Sequence, residues 1–231
     1  MLHRLTCALA AVLSAGATTA ADVTPTELRW LQAGAPVLAY ARQHGLPLDV
    51  VVQPQDAPGL APLAMDYVDG RCKLVLSLRG NPLADAALAD APPALQAVAI
   101  EAMTAHEVAH CWRHVSGQWK ALPAGFAEVR RTADEPAAEA WHAMRATRRE
   151  EGYADLAGLA WSWGRHPGRY AEVHAWFERV REHQVVPGSH HDTRAWLRAV
   201  RDPAAFTPGA GPFEQAQGLW AQALADDVHR P

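Results

Sequence analysis

The stretch His106-Glu107-Val108-Ala109-His110 constrains this chain more than any other. It follows Leu95-Gln96-Ala97-Val98-Ala99-Ile100-Glu101-Ala102-Met103, a run of strong helix formers, and Pro92-Pro93 stands where a helix begins. The pattern predicts a helix over residues 92–115. On a helix, residues four apart are rotated by only about 40° and lie one turn along the axis. Both imidazoles then leave one face and meet one metal ion, while Glu107 projects beside them as a candidate general base. The competing reading is two histidines on an ordinary buried helix, and the helical context makes it the weaker one.

A hydrolytic zinc site needs three protein ligands and an open position. A third histidine six positions beyond His110 would complete one known pattern, but that position is Ser116. His114 lies one further turn along and drifts off the ligand face, which makes it an exposed or outer-layer histidine. The better candidate is Glu151, in Glu150-Glu151-Gly152-Tyr153-Ala154-Asp155-Leu156-Ala157-Gly158-Leu159. Glu151 and Asp155 are four apart on one helix face. With Glu151 on the metal, Asp155 is placed to accept the second N–H of a ligand histidine. The alternative, ion pairing in solvent with Arg148 or Arg149, suits Glu150. It suits Glu151 and Asp155 less well, because apolar residues surround them.

At 231 residues the chain is long enough for one domain with a sizeable core, and its net charge of -4 excludes a basic footprint for nucleic acid or anionic lipid. Met1 to Arg4, the apolar Leu5 to Gly16 and the small residues Ala17 to Ala21 read as a signal peptide, 1–21, removed by cleavage after Ala20 or Ala21. The mature chain, 22–231, is then a single exported domain, periplasmic or secreted, with no stable membrane anchor. Cleavage removes Cys7 and leaves Cys72 and Cys111 as an even pair in an oxidising compartment; a disulfide and two buried thiols are both open. With nine tryptophans, some of these rings are expected to line a cleft.

Thr24-Pro25-Thr26-Glu27 opens a helix over 25–44, followed by a strand at 48–53. Residues 64–68 and 72–78 form a hairpin across Asp69-Gly70. Beyond the motif helix, helical patterns cover 134–163, 169–184, 193–201 and 212–228. The sum is α+β: a small, mostly antiparallel N-terminal sheet packed on a predominantly helical body.

HEVAH followed some forty residues later by E-G-Y-A-D-L-A-G-L resembles the gluzincin clan of zinc peptidases, in motif closest to its soluble Ste24/Oma-type endopeptidases. Glu151, Ala154, Asp155 and Gly158 match the second motif, and the resemblance covers roughly residues 95–160. It implies a zincin-like fold and one Zn²⁺ per chain held by His106, His110 and Glu151. Glu107 is then the base and Asp155 the partner of a ligand histidine. A further clan pattern is echoed by Leu122 to Glu128, where Ala124 takes the ligand position and Glu128 is the runner-up ligand. Ser189-His190-His191-Asp192-Thr193-Arg194 resembles the segment from which a histidine and an arginine stabilise the oxyanion, which implies roles for His190 or His191 with Arg194. The strand at 72–78 would be the substrate-aligning edge strand. The expectation is an exported zinc endopeptidase acting on peptide or protein substrates. The alternative is a periplasmic metal-binding or chaperone-like protein that keeps such a site without turnover.

Overall fold

The computed structural model describes residues 22–128, 137–183, 186 and 188–228. The expected signal peptide and the first residues of the expected helix at 134–163 lie outside the described residues. In chain order the elements are α1 (Pro25–Gln43), β1 (Leu48–Pro54), β2 (Leu63–Val68), β3 (Arg71–Arg79), α2 (Pro82–Ala86), α3 (Pro93–Val115), α4 (Ala138–Arg165), α5 (Tyr170–His183), α6 (Arg194–Ala199) and α7 (Pro212–Val228). The fold is α+β, a three-stranded sheet beside a mostly helical body.

Local chemistry starts these elements where the residues demand. Thr24 Oγ1 accepts the Glu27 N–H at 3.2 Å while the Glu27 carboxylate accepts the Thr24 N–H at 2.7 Å, a reciprocal cap for α1. Glu27 is fully buried there, paired with Arg79 at the end of β3 at 3.0 Å. Asp69 and Gly70 take φ of 52° and 77°, the left-handed pair of a two-residue hairpin turn.

The sheet order is β1-β3-β2, with β2 antiparallel to β3 and β1 parallel to it. The sheet is therefore mixed, not mostly antiparallel. The loop after β1 turns the chain back, and the hairpin strand β3 then inserts between β1 and β2; a list of strands does not reveal that insertion. It also moves the exposed edge. The segment 72–78 lies in β3, which is paired on both sides, with Cys72, Leu74, Leu76 and Leu78 buried. The edge strand beside α3 is β2 instead.

α3 is the axis of the molecule, packed on α1, β2 and α4, which explains an apolar sequence on nearly every side. Close approach is secured by small residues. A Cβ on Gly34 would stand 2.7 Å from Thr104 Oγ1, and one on Gly158 would stand 2.9 Å from the Ala102 carbonyl oxygen. Cys72 and Cys111 form a disulfide, Cα–Cα 5.7 Å, tying β3 to α3 over a sequence separation of 39. Closing a loop of that length stabilises the fold by roughly 4 kcal/mol in the chain-entropy picture.

Candidate metal centre

α3 and α4 run antiparallel, so that Ala102 faces Gly158, His106 faces Asp155 and Glu151, and His110 faces Glu151. With no side chain at Gly158, α4 comes close enough to α3 for Glu151 to reach both histidines. His106 Nε2 lies 3.4 Å from Glu151 Oε2, and His110 Nε2 lies 3.5 Å from Glu151 Oε1. One donor atom from each of the three residues lies within 4.8 Å of the others, a group able to hold a metal ion. Two atoms each about 2.0–2.1 Å from a tetrahedral ion stand about 3.4 Å apart, so the spacings of Glu151 from the two histidines fit such an ion.

Behind this triad, Asp155 is fully buried and collects four hydrogen bonds. His106 Nδ1 lies 2.9 Å from its Oδ1, which leaves Nε2 facing Glu151 as the nitrogen that an ion would take. Arg181 on α5 donates through Nε at 2.9 Å and Nη2 at 2.7 Å. The Thr193 hydroxyl donates to Oδ2 at 2.5 Å. A single carboxylate thus joins α3, α4, α5 and the start of α6. His110 is held differently: its Nδ1 is buried with no partner among the described residues, and Trp119 sits edge-on to its ring at 5.7 Å.

The electrostatics follow from these contacts. Burial works against a charge on His106, but its hydrogen bonds to Asp155 and Glu151 outweigh that and push it up to about 10. Burial pushes His110 down to about 4. Burial likewise raises Glu107 to about 7, against the charge on His106 and a main-chain hydrogen bond from Met65 of β2. Glu151 and Asp155 resist burial and stay well below the usual carboxylate range, Glu151 through His106, His110 and Arg181, Asp155 through Arg181 and His106.

A cavity of about 650 Å³ opens on this group, with His106, Glu107, Glu151, Arg181 and His191 at one end and Leu63, Met103, Trp176, Phe177 and Val180 along its walls. Of the residues expected here, His191 reaches the site, its Nε2 3.8 Å from Glu151 Oε2. His190 is exposed and its ring lies tilted against that of His191, centroids 4.0 Å apart. Arg194 does not line the cavity: its guanidinium grips Asp192 at 2.7 and 2.9 Å, a partner two residues away that holds it against its own loop. Glu128 pairs with Arg149 and is not in the triad. Glu150 is not solvated but buried against Arg113. His114 is sandwiched between Tyr67 and Trp119, centroids 4.5 and 3.9 Å away.

Two residues escaped the sequence reading, Arg181 and Thr193. Arg181 had a usable signal. Tyr170, Val173 and Phe177 form the buried stripe of α5, and Arg181 continues it at the next helical step. A cation in register with an apolar stripe needs a buried anion opposite, and Asp155 is that anion. Thr193 gave no such signal, because a threonine before a helix ordinarily caps it.

Compared with known proteins, the chain matches no protein-family model, no curated protein and no solved structure.

Proposed function

We propose that the chain is a zinc-dependent endopeptidase. The observation that carries this reading is the co-location, at one end of an open cleft, of three donors grouped closely enough to hold an ion with a carboxylate outside the triad, Glu107, beside them. Two neutral imidazoles and a carboxylate are a donor set that suits zinc. When bound, the ion polarises the scissile carbonyl and lowers the pKa of water towards about 7.

The protein's own groups supply the rest. Glu107, buried beside the triad, is placed to take a proton from the attacking water and return it to the leaving amine. His191, which lines the cleft 3.8 Å from Glu151, is a side chain able to donate to the developing oxyanion. Asp155 holds the His106 ring and its tautomer. The free edge of β2, beside Glu107, offers main-chain pairing to an extended peptide.

Export fits the same reading. A disulfide between Cys72 and Cys111 belongs in an oxidising compartment, and no helix among the described residues is long and apolar enough to cross a membrane. The test is Glu107→Gln, assayed on casein with zinc measured in parallel. Removing a general base costs on the order of 10²–10⁴ in rate and leaves all three ligands. Zinc retained near one per chain with cleavage lost supports the proposal. Undiminished cleavage by the variant refutes it.

A further inference from the structure

The cleft beside the triad has a chemistry of its own. From the metal end it runs between α3 and α5 beside α2, and its walls are lined by Leu63, Met103, Trp176, Phe177 and Val180. Ala86 and Ala87 form part of the wall, so small residues leave space where larger ones would fill it. About 650 Å³ is the size of a small-molecule site and well above the volume of one side chain. Leu83, at 41% exposure, holds an apolar rim in water.

The polar end excludes as clearly as the walls attract. Arg181 is the one permanent cation among the lining residues, and its guanidinium is spent on Asp155 at 2.7 and 2.9 Å with Glu151 at 3.6 Å. With Glu107 and Glu151 offsetting the two charges of the zinc ion that this reading places here, an acidic side chain or a terminal carboxylate entering the cleft finds no unopposed positive charge. It meets Glu107 and Glu151 instead. Resting on the endopeptidase reading above, we propose that this cavity selects substrates: internal segments of an extended polypeptide with a bulky apolar residue, of Leu or Phe size, next to the scissile bond. Acidic residues and free C-termini are discriminated against there. Burying a benzyl group in such a cavity strengthens binding by roughly 10–100-fold over a methyl group.

The test separates the cavity from the chemistry. Two hydroxamates identical but for a benzyl or a methyl substituent are titrated calorimetrically into the zinc-loaded protein and two variants. Ala87→Trp fills the cavity, and Leu83→Glu places a charge on an exposed rim where folding is unaffected. The benzyl compound should bind at least about tenfold more tightly to the parent protein. That preference should shrink to less than about threefold in Ala87→Trp and fall clearly in Leu83→Glu, with zinc content unchanged. Equal affinities in the parent, or a preference untouched by both variants, overturn the inference. In parallel, quenched-fluorescence peptides with Phe or Asp at one position report turnover. A hydroxamate preference without cleavage of either peptide upholds the cavity and sinks the endopeptidase reading. Cleavage of both at equal kcat/KM does the reverse.

Discussion

Glu150 and Glu151 are neighbours in α4, yet they sit in opposite worlds. Glu150 is 1% exposed and fully matched: Arg113 donates to it at 2.8 and 3.0 Å, and the Lys120 N–H adds a third bond at 2.8 Å. Its partner is fixed in turn, with the Arg113 guanidinium over the Trp220 ring at 4.4 Å and bonded to Gln217 at 2.8 Å. Glu151 is held at longer range. Its nearest polar atoms, on His106, His110 and Arg181, stand at 3.4, 3.5 and 3.6 Å. One carboxylate is neutralised by the protein at hydrogen-bond distance, the other is held at the spacing of two atoms sharing an ion. The first ties α3 to α4; the second belongs to the triad proposed to hold a metal.

The comparison breaks most visibly by truncating each carboxylate. Glu150→Ala leaves Arg113 buried without its counter-ion, a loss on the order of 3–5 kcal/mol, and should not change zinc affinity once the protein is folded. Glu151→Ala should do the opposite: little change in stability of the metal-free protein, and zinc affinity reduced far more than by Glu150→Ala or Glu128→Ala. Urea denaturation and chelator competition on the same three variants decide it. The assignment fails if Glu128→Ala strips the metal and Glu151→Ala does not.

Next in size is Asp155, where Ala should weaken zinc binding roughly 10–100-fold and Asn less, since an amide oxygen still accepts from His106 Nδ1 without carrying charge. Equal chelator-competition constants for the three proteins would show that Asp155 serves only Arg181 and Thr193.

Much of this contrast was legible in the residues. The sequence around HEVAH predicted the helix and the shared face of His106 and His110, and the four-residue spacing of Glu151 and Asp155 put both on one face of α4. What stayed hidden was long-range. Pairing of Glu150 with Arg113, 37 residues away, depends on how α3 meets α4, which helical spacing does not encode. The insertion of β3 between β1 and β2 was invisible for the same reason. Arg194 illustrates a local competitor: an arginine two residues from an aspartate satisfies itself before it reaches a site.

Smaller effects sharpen the picture. Gly158→Ala puts a methyl group 2.9 Å from the Ala102 carbonyl, where overpacking typically costs about 1–3 kcal/mol. Because that contact sets the approach of Glu151 to the histidines, zinc affinity should fall along with the melting temperature. A stability loss with affinity intact would separate the helix contact from the site. Zinc uptake should also release a proton. His106 is charged below about 10 in the metal-free protein and must lose that proton to present Nε2 to an ion, whereas His110, at about 4, is already neutral at pH 7. Affinity should therefore rise with pH, by about tenfold per unit below 10, and weaken in acid. Calorimetry at pH 8 in two buffers of different ionisation heat measures the release; no proton released would mean that His106 is already neutral.

The central claim is that His106, His110 and Glu151 together hold one metal ion. Zinc content of the purified protein, measured by mass spectrometry after dialysis against a weak chelator, tests it most directly. The account predicts about one zinc per chain in the parent protein and almost none in His110→Ala, with both proteins folded by circular dichroism. Zinc absent from the parent, or retained equally by His110→Ala, would contradict it.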